Sequence, residues 1–394
     1  MKICLFTFYF QPDLCAGSFR NTALVDAMVP LLKREDQLDI ITTRPNRYST
    51  YRVHAPEFEI LNDQVRIFRV RIPVHKSGFI DQALSFYAYY QKANKLVKNK
   101  QYDLIIASSS RLFTAFLGAR MSKRLNAPYY LDLRDLFRIN MSEILKNPVI
   151  KYPFMYFLRK VEKFTLKQAD RINIVSEGFS DYIRKYDVPV SFYPNGIDDD
   201  FLDFDFKSNE NKKKHKIITY AGNIGEGQGL HRIIPEVAKN VKKEGFFFRI
   251  IGDGGARPVL ERELKRHAVS NVELINPVNR DQLLHYYMKS DYLLLHLNDY
   301  DAFKKVLPSK VFEYAATKKP IFAGVAGYSR VFLQKHVNGI FLFNPCDTEA
   351  FSSALINHSL PPGPVNRDDF IHKFARKSIM QKMAEEIINN CRVG

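Results

Sequence analysis

Residues 217–230 read IITYAGNIGEGQGL, a branched apolar run followed by four glycines and a leucine that opens a helical pattern. The run from 217 to 221 has the composition of a buried strand. Glycines directly after a strand let the backbone approach a diphosphate, and the N-terminus of the next helix favours the same anion. A turn that needs positive φ is the alternative explanation. Gly222, Asn223 and Gly225 are therefore candidate positions for binding a phosphate group.

Similar strand-like runs occur on both sides of this segment, with helix-length segments between several of them. They cover residues 3–7, 38–42, 65–71, 104–108, 129–133 and 172–175, and then 217–221, 247–251, 272–275, 292–297 and 320–323. Such alternation predicts parallel strands joined by right-handed crossovers, hence doubly wound α/β sheets. The nearly continuous apolar character of the runs fits strands that are buried on both faces.

The two series are separated by turn residues at 193–198 and by an acidic, then lysine-rich, stretch from 198 to 216. We expect a Rossmann-like domain over 1–194, a second one over 195–372, and a final helix in 373–394 that packs back on the first domain. Open parallel sheets bind ligands outside the carboxyl ends of their strands. Two facing sheets would therefore place the ligand in an interdomain cleft.

The length of 394 residues suits two domains, and no apolar run is long enough to span a membrane. The apolar N-terminus is too short for a secretory signal, and the four cysteines have no metal or redox spacing. We expect a cytoplasmic protein. Its formal net charge of +17 predicts attraction to nucleic acid, an anionic membrane or phosphorylated substrates.

In the first domain, Gly17 and Ser18 stand where the helix after the first strand would begin. Free N–H groups at that helix end could bind a phosphate, and Arg20 could add a bidentate contact. A plain strand-to-helix loop with a surface arginine is the alternative.

Two further stretches of the second domain carry candidate residues. Gly254 follows the strand at 247–251, either as a site for a base or phosphate or as a structural turn. In PSKVFEYAA, residues 308–316, Ser309 can serve as an N-cap, and Glu313 lies near the apolar face of the helix. A carboxylate there needs hydrogen-bond donors, which ribose hydroxyls supply, and Lys310 could meet phosphates. A solvated helix is the alternative.

Asp135 follows the strand at 129–133 and is the candidate for a base or polarising carboxylate near an acceptor hydroxyl. It could equally be an ion-pair partner of Arg134 or Arg138. The run from Asp198 to Asp200 is more simply a solvated charge run than a metal site.

Two helical segments combine aromatic and basic residues, around 154–167 and 80–98. Such helices can lie on anionic lipid, although helices that cover their own sheet with a basic outer face show the same pattern. No RNA-binding signature is present, so we expect no nucleic-acid partner.

Taken in order, the motifs resemble those of the GT-B-fold family 4 glycosyltransferases, and more narrowly the bacterial branch that builds O-antigen and capsule polysaccharides, including aminosugar transferases. They are YFQP with Arg20, RDL at 134–136, PNGID at 194–198, YAGN at 220–223, GDG at 252–254 and PSKVFEY at 308–314. The resemblance implies a nucleotide-sugar donor, which we expect to be UDP-linked, in the C-terminal domain and a glycan or polyprenyl-diphosphate-linked acceptor in the N-terminal one. It also implies a retaining reaction without metal or other cofactor, on the inner face of the cell membrane.

Three positions depart from the family pattern. Glu313 matches the second glutamate of the family's E-x7-E motif, which holds the donor ribose, but Lys305 occupies the position of the first. The family's arginine and lysine for the diphosphate match Asn223 and Gln228 here. Lys310, Arg20 and the amides of the glycine loop are then the candidates for neutralising the diphosphate.

The expected function is sugar transfer, with Asp135, Lys310 and Arg20 as catalytic candidates. Two other functions share these features: a nucleotide-sugar epimerase on the same fold, and a non-catalytic binding or partner subunit.

Overall fold

Two sheets of mainly parallel strands, each flanked by helices, are built from the two series of apolar runs. The structure is a computed structural model that describes residues 1–46, 54–73, 79–109, 112–145, 147–207 and 215–393. The chain divides into a first unit, Met1–Asn195 with Arg376–Gly394, and a second unit, Gly196–Ala375. The lysine-rich residues 208–214 of the expected linker lie outside the described residues.

The first unit contains an eight-stranded sheet with the order β3-β4-β2-β1-β5-β6-β7-β8. Its strands are β1 (Lys2–Thr7), β2 (Gln37–Thr43), β3 (Phe58–Asn62), β4 (Val65–Val70), β5 (Leu104–Ser109), β6 (Tyr129–Leu133), β7 (Arg171–Ile174) and β8 (Val190–Phe192). Only the pairing of β3 with β4 is antiparallel among these described strands. The chain order reverses at β1, which lies between β2 and β5, and such a switch point opens a crevice at the carboxyl edge.

Helices cover this sheet, and the last helix of the chain is one of them. They are α1 (Ala16–Met28), α2 (Phe79–Val97), α3 (Leu112–Leu125), α4 (Phe137–Ile144), α5 (Pro148–Lys167), α6 (Ser180–Arg184) and the last helix, α15 (Arg376–Val393). Helix α15 packs against α1, and Glu386 on it accepts hydrogen bonds from Tyr130 and Ser191.

The second unit contains a six-stranded parallel sheet with the order β11-β10-β9-β12-β13-β14. Its strands are β9 (Lys216–Ala221), β10 (Phe246–Ile251), β11 (Val272–Ile275), β12 (Tyr292–His296), β13 (Ile321–Gly324) and β14 (Ile340–Phe343). The switch point lies between β9 and β12. This is the strand order of nucleotide-binding Rossmann folds, so the loops after β9 and β12 border its ligand crevice.

The helices of the second unit are α7 (Asp199–Asp203), α8 (Leu230–Asn240), α9 (Arg257–Arg266), α10 (Arg280–Met288), α11 (Lys310–Ala316), α12 (Gly327–His336), α13 (Thr348–Ile356) and α14 (Asp368–Lys373). Helix α8 directs Ile233, Ile234 and Val237 into the core above β9 and β10. This packing fixes the start of α8 and hence the end of the glycine loop that precedes it.

The predicted α/β class, with two doubly wound sheets, is confirmed. Three strands were not predicted. Strand β3 is an edge strand whose residues are mostly exposed, so its sequence lacks the buried pattern. Strand β8 has three residues, and β14 is only partly buried. Within the described parts of the chain, no helix combines the length and apolar content that a membrane crossing requires.

Candidate functional site

The glycine loop after β9 folds against the loop after β10 at the carboxyl edge of the second sheet. Gly222 and Gly252 both have a φ of 142°, and a Cβ on Gly252 would collide with the carbonyl oxygen of Gly222. The N–H of Gly222 donates to the carbonyl of Ile251 at 2.8 Å, and that of Ile224 to Asp253 at 2.9 Å. Glycine is therefore required at both positions by the fold itself.

We predicted that the amides of residues 222–229 bind a phosphate, and for most of these N–H groups the prediction is wrong because they donate within the protein. Besides those of Gly222 and Ile224, the amide of Gly225 donates to Oε1 of Gln228 at 3.2 Å. The amides of Gln228 and Gly229 donate to carbonyls within the loop. Of the loop amides that the structure describes, those of 223, 226 and 227 are without a hydrogen bond to protein. Short loops saturate their own donors, which reduces the number left for an anion.

Asn223 and Gln228, which replace the family's arginine and lysine, bond to each other. Nδ2 of Asn223 donates to Oε1 of Gln228 at 2.8 Å, and the same oxygen accepts from Gly225. Two neutral amides thus brace the loop at the positions where two cations would act on a diphosphate. The second unit must supply positive charge to such a ligand from elsewhere.

His296, at the end of β12, supports this loop from below. Its Nδ1 lies 2.7 Å from the carbonyl oxygen of Gln228, and its Nε2 accepts from the amide of Cys346 at 2.9 Å. Burial lowers the pKa of His296 to about 4, so the ring is neutral near pH 7 and Nδ1 carries the proton that is donated to Gln228. Sequence reasoning missed this residue, since its partners lie far away in the chain.

Helix α11 brings Lys310 and Glu313 to the same edge. Nζ of Lys310 lies against Gly222, where a Cβ would collide with it, and 5.3 Å from the ring centre of Tyr220. The hydroxyl of Tyr314 accepts the amide of Ala221 at 3.2 Å, which ties α11 to the end of β9. The predicted cation is therefore next to the glycine loop.

Ser309 precedes α11 but does not cap it as predicted. Its backbone is already helical, and its side chain makes no capping hydrogen bond. A capping side chain normally requires extended backbone at its own residue, which explains the difference. The proposed contact of Ser309 with the donor stays a prediction.

Glu313 is largely buried, with 15% of its side chain exposed, and it faces Arg280. Nη1 of Arg280 lies 3.7 Å from Oε1 of Glu313, while its other nitrogens bond to Asp198 and to Asp200. The guanidinium also stacks over Phe201 at 4.7 Å. Burial lowers the pKa of Arg280, but Glu313 and Asp198 outweigh this effect and raise it. Asp198 and Asp200, two residues of the aspartate run, thus bind Arg280, which was not among the residues predicted from the sequence.

Gly254, in the loop after β10, packs against Asn223 and Ile224 of the glycine loop. It has a φ of 155°, and a Cβ there would lie 2.6 Å from the carbonyl oxygen of Ile224 and 2.8 Å from Oδ1 of Asn223. Gly222, Asn223, Gly225, Gly254 and Lys310 are therefore neighbours. Glu313 lies one helical turn beyond Lys310.

In the first unit, the expected role of Arg20 in anion binding is wrong. Arg20 and Asp132 both have 0% side-chain exposure and form a bidentate pair, with Nε and Nη2 each 2.9 Å from a carboxylate oxygen. Nη1 donates to the carbonyl of Pro194 at 2.8 Å, and Nη2 also donates to that of Tyr193. Position 20 lies on the inner face of α1, so Arg20 holds β6 and the chain at 193–194 to α1.

Gly17 provides space for a different arginine. A Cβ at Gly17 would lie 2.6 Å from Nη1 of Arg134. Nε and Nη1 of Arg134 are shielded from solvent and have no hydrogen-bond partner among the described residues. A positive charge at the N-terminal end of α1 opposes the helix dipole. The predicted phosphate contact of Gly17 is untested, and its observed role is to accommodate Arg134.

Asp135 stands at the carboxyl edge of the first sheet, just after β6. Its Oδ1 accepts from Nδ2 of Asn140 at 2.6 Å. Arg138 instead pairs with Glu162 at 2.9 Å, so the alternative of an Asp135–Arg138 ion pair is wrong. Burial raises the pKa of Asp135 to about 6, against the opposing effects of Asn140 and Arg134. A carboxylate that titrates near neutrality is suited to accept a proton.

A cavity of about 920 Å³ lies at the opposite, amino edge of the second sheet. Its lining includes Phe204, His215, Lys216 and Asp291. Ligands of open parallel sheets bind at the carboxyl edge, so we assign no function to this cavity.

Two family models match consecutive parts of the chain. Residues 25–201 match "Glycosyltransferase Family 4", and residues 202–360 match "Glycosyl transferases group 1". With its two parallel-sheet units, the chain belongs to the GT-B-fold family 4 glycosyltransferases.

Individual relatives agree with this class. Over 96 residues the chain is 35% identical to the Escherichia coli K12 glycosyl transferase WcaI, whose name refers to colanic acid biosynthesis. That match spans 24% of this chain and 23% of WcaI.

Among solved structures, a sucrose-phosphate synthase from Thermosynechococcus elongatus is 14% identical, with a TM-score of 0.76 over 100% of both chains. Anabaena HepE, solved in complex with UDP-glucose, is 14% identical, with a TM-score of 0.62 over 100% of this chain and 97% of HepE. These likenesses support the fold.

Proposed function

We propose that this protein transfers a sugar from a UDP-linked donor to a glycan or polyprenyl-diphosphate-linked acceptor during synthesis of a bacterial surface polysaccharide such as O-antigen or capsule. The transfer proceeds with retention at the anomeric carbon and without a metal ion. Family membership supports the reaction class, WcaI belongs by name to polysaccharide biosynthesis, and HepE was solved with UDP-glucose.

The observation that carries the donor assignment is the position of α11. It sets Lys310 against Gly222 and presents Glu313 one turn later, at the edge where Rossmann-type sheets bind nucleotides. A carboxylate at 313 accepts hydrogen bonds from ribose hydroxyls, and the ammonium at 310 meets the diphosphate. Because Asn223 and Gln228 are neutral, Lys310 carries the larger share of the charge.

The chemistry requires two tasks of the protein. As the bond from the anomeric carbon to the diphosphate oxygen breaks, negative charge grows on the leaving group, and Lys310 stabilises it. The acceptor hydroxyl forms the new bond and loses its proton, for which Asp135 is the proposed base. The pKa of about 6 keeps Asp135 mostly ionised at pH 7.

Donor binding tests the assignment of Glu313 directly. We expect calorimetry to detect binding of UDP and UDP-sugars. Glu313→Gln should weaken UDP binding roughly 10- to 100-fold, because a charge-assisted hydrogen bond is lost. Wild-type protein should prefer UDP over its 2′,3′-dideoxy analogue, and the variant should lose this preference. The matched control is Glu236→Gln, which changes an exposed glutamate on α8. Equal discrimination by both variants would contradict the assignment.

Analysis of the reaction products distinguishes a sugar transferase from an epimerase and from a non-catalytic subunit. Incubation with UDP-sugar and a lipid-diphosphate-linked acceptor should give a glycosylated lipid, whose anomeric configuration reports retention. Conversion of the donor to an epimer without acceptor would instead identify an epimerase. Failure to bind any nucleotide-sugar would favour a non-catalytic partner subunit.

A further inference from the structure

Arg134 is a cation at the carboxyl edge of the first sheet whose charge is not balanced by an ion pair. It follows β6 directly, and its amide donates to Oγ of Ser109, at the end of β5, over 3.5 Å. The side chain reaches the start of α1, where Nη1 lies against Gly17. Among the described residues, Nε and Nη1 have no acceptor and no carboxylate forms an ion pair with the guanidinium. Shielded donors normally have a partner, so these two indicate a ligand.

The first turn of α1 adds further donors at the same place. The amides of Ala16, Gly17 and Ser18 have no acceptor within the described parts of the chain, because a helix leaves its first N–H groups without an internal partner. The side chain of Cys15, at the N-cap, makes no capping hydrogen bond, and the first turn contains no acidic residue. The partial positive charge of the helix N-terminus therefore adds to the charge of Arg134.

The two carboxylates of β6 and its following loop are already engaged. Asp132 pairs with Arg20 at 2.9 Å and also accepts from Asn173. Asp135 accepts from Nδ2 of Asn140. Burial lowers the pKa of Arg134, and the attraction of Asp132 offsets this effect only in part. Arg134 therefore has positive charge to offer to an anion from outside the protein.

Asn140 supplies an acceptor beside these donors. Its Oδ1 is shielded from solvent and has no donor among the residues that the structure describes, while its Nδ2 holds Asp135. A ligand hydroxyl would donate to this oxygen. Arg134 and Asn140 are thus both next to Asp135, the proposed base. A ligand that carries an anionic group and a hydroxyl on one rigid ring would satisfy both residues.

The amount of positive charge decides which kind of anion fits. Arg20 is neutralised by Asp132, which leaves one guanidinium and the roughly half charge of the helix N-terminus. A carboxylate carries a single negative charge and balances this arrangement. A diphosphate carries more charge and would need at least one further cation. The planar guanidinium also matches the geometry of a carboxylate.

We infer that Arg134 and the first turn of α1 bind the carboxylate of a hexuronic acid at the end of the acceptor glycan, and that Arg134 thereby determines acceptor specificity. The carboxylate and the hydroxyls of a hexuronic acid are fixed on one ring, so binding the carboxylate orients a ring hydroxyl toward Asp135. The inference rests on the proposed function, because it takes the first unit to hold the acceptor. It narrows the acceptor to glycans with an acidic terminal sugar.

The first test measures binding of the full chain without donor, by ligand-observed NMR titration. The probes are the p-nitrophenyl glycosides of glucuronic and galacturonic acid and their methyl esters, which keep the ring but lack the charge. Wild-type protein should bind at least one acid roughly 10- to 100-fold more tightly than its ester, the range expected for a charge-assisted hydrogen bond.

Variants assign this preference to the site. Arg134→Met should abolish the preference for the acid, and Arg134→Lys should retain part of it. Gly17→Ala should reduce it, because the new Cβ would lie 2.6 Å from Nη1 of Arg134, and this variant keeps the test valid if Arg134→Met fails to fold. The matched control is Arg184→Met, which removes an arginine with 80% side-chain exposure from the same unit and should bind as wild type.

Three results would overturn the inference. They are equal binding of acid and ester by wild type, a preference that survives in both Arg134→Met and Gly17→Ala, and tighter binding of inorganic diphosphate than of either acid. The last result would assign the positive charge to a phosphate group instead of a carboxylate.

Transfer assays show that the two proposals fail separately. A protein that binds uronic acids through Arg134 but transfers no sugar removes only the proposed function. Equal transfer to polyprenyl diphosphates that end in a neutral sugar and to those that end in a uronic acid removes only the assignment of Arg134.

Discussion

Replacing Arg20 by methionine should destabilise the first unit without acting on catalysis. The change leaves Asp132 at 0% exposure with Ser108 and Asn173 as its remaining donors. It deprives the carbonyl of Pro194 of its arginine donor and leaves that of Tyr193 with Nδ2 of Asn173 at 3.4 Å. Burial raises the pKa of Asp132, but Arg20 outweighs this and holds it below the usual value.

The magnitude follows from these contacts. Without its counter-ion the carboxyl group takes up a proton, and neutralising a group of pKa about 3.9 at pH 7 costs about 4 kcal/mol. The carbonyl of Pro194 without its donor adds about 1 kcal/mol, which gives about 5 kcal/mol in all. The milder Arg20→Lys, which keeps the charge but loses the bidentate geometry, should cost about 2–3 kcal/mol.

Native-state hydrogen exchange of the β1 and β6 amides is the suitable assay, because a two-unit chain need not unfold in two states. The effect should also depend on pH. In wild type the lowered pKa of Asp132 stabilises the fold above the unfolded pKa, and this contribution is lost as pH falls through the folded value. In Arg20→Met the buried carboxyl stays protonated while the unfolded group ionises above about pH 3.9, so the variant loses stability as pH rises and its gap to wild type should widen from pH 4 to pH 7.

The double variant Arg20→Met with Asp132→Leu provides the control, since an apolar pair replaces a buried ion pair at little cost. It should recover most of the lost stability. If Arg20→Lys has wild-type hydrogen-exchange rates but a large loss of kcat, the structural role is refuted and a catalytic role for Arg20 is supported.

Three further predictions concern the candidate site. Lys310→Met should lower kcat about 100-fold or more with a smaller change in KM, because the charge acts on the leaving diphosphate; initial rates at saturating donor measure this, and an unchanged kcat would contradict it. Arg280→Gln should weaken UDP binding about tenfold by leaving Glu313 among carboxylates without a cation, whereas Arg280→Lys should retain most of the affinity in calorimetry. The kcat/KM should rise with pH through an inflection near 6 as Asp135 ionises, and Asn140→Leu should move the inflection upward, since its hydrogen bond favours the ionised form. A pH profile without that inflection would exclude Asp135 as the base.

The sequence was informative where function depends on residues close together in the chain. Gly222 and Gly254 follow strands, which fixes their place at the sheet edge, and Lys310 and Glu313 stand together in one short helical motif. The eleven predicted strands are likewise local patterns, and all of them are present.

Side-chain pairing could not be predicted in the same way. Arg280 bonds to Asp198 and Asp200, 82 and 80 residues away, and no local pattern signals such a partnership. Arg20 carries the charge of an anion ligand, but its position on the inner face of α1 follows only from tertiary packing. The saturation of the loop amides also depends on Asp253 and Gln228, whose contacts require the folded loops.

The path of the chain has a consequence for biosynthesis. The first unit is interrupted by residues 196–375 and is completed by α15, whose Met383 lies 3.4 Å from Nη2 of Arg20. A nascent polypeptide on the ribosome can close the second unit as a continuous stretch. Its first unit stays unfinished until α15 has been synthesised, with one face of α1 uncovered. A chain truncated before α15 should therefore misfold in its N-terminal unit, and loss of solubility on such truncation would be the visible sign.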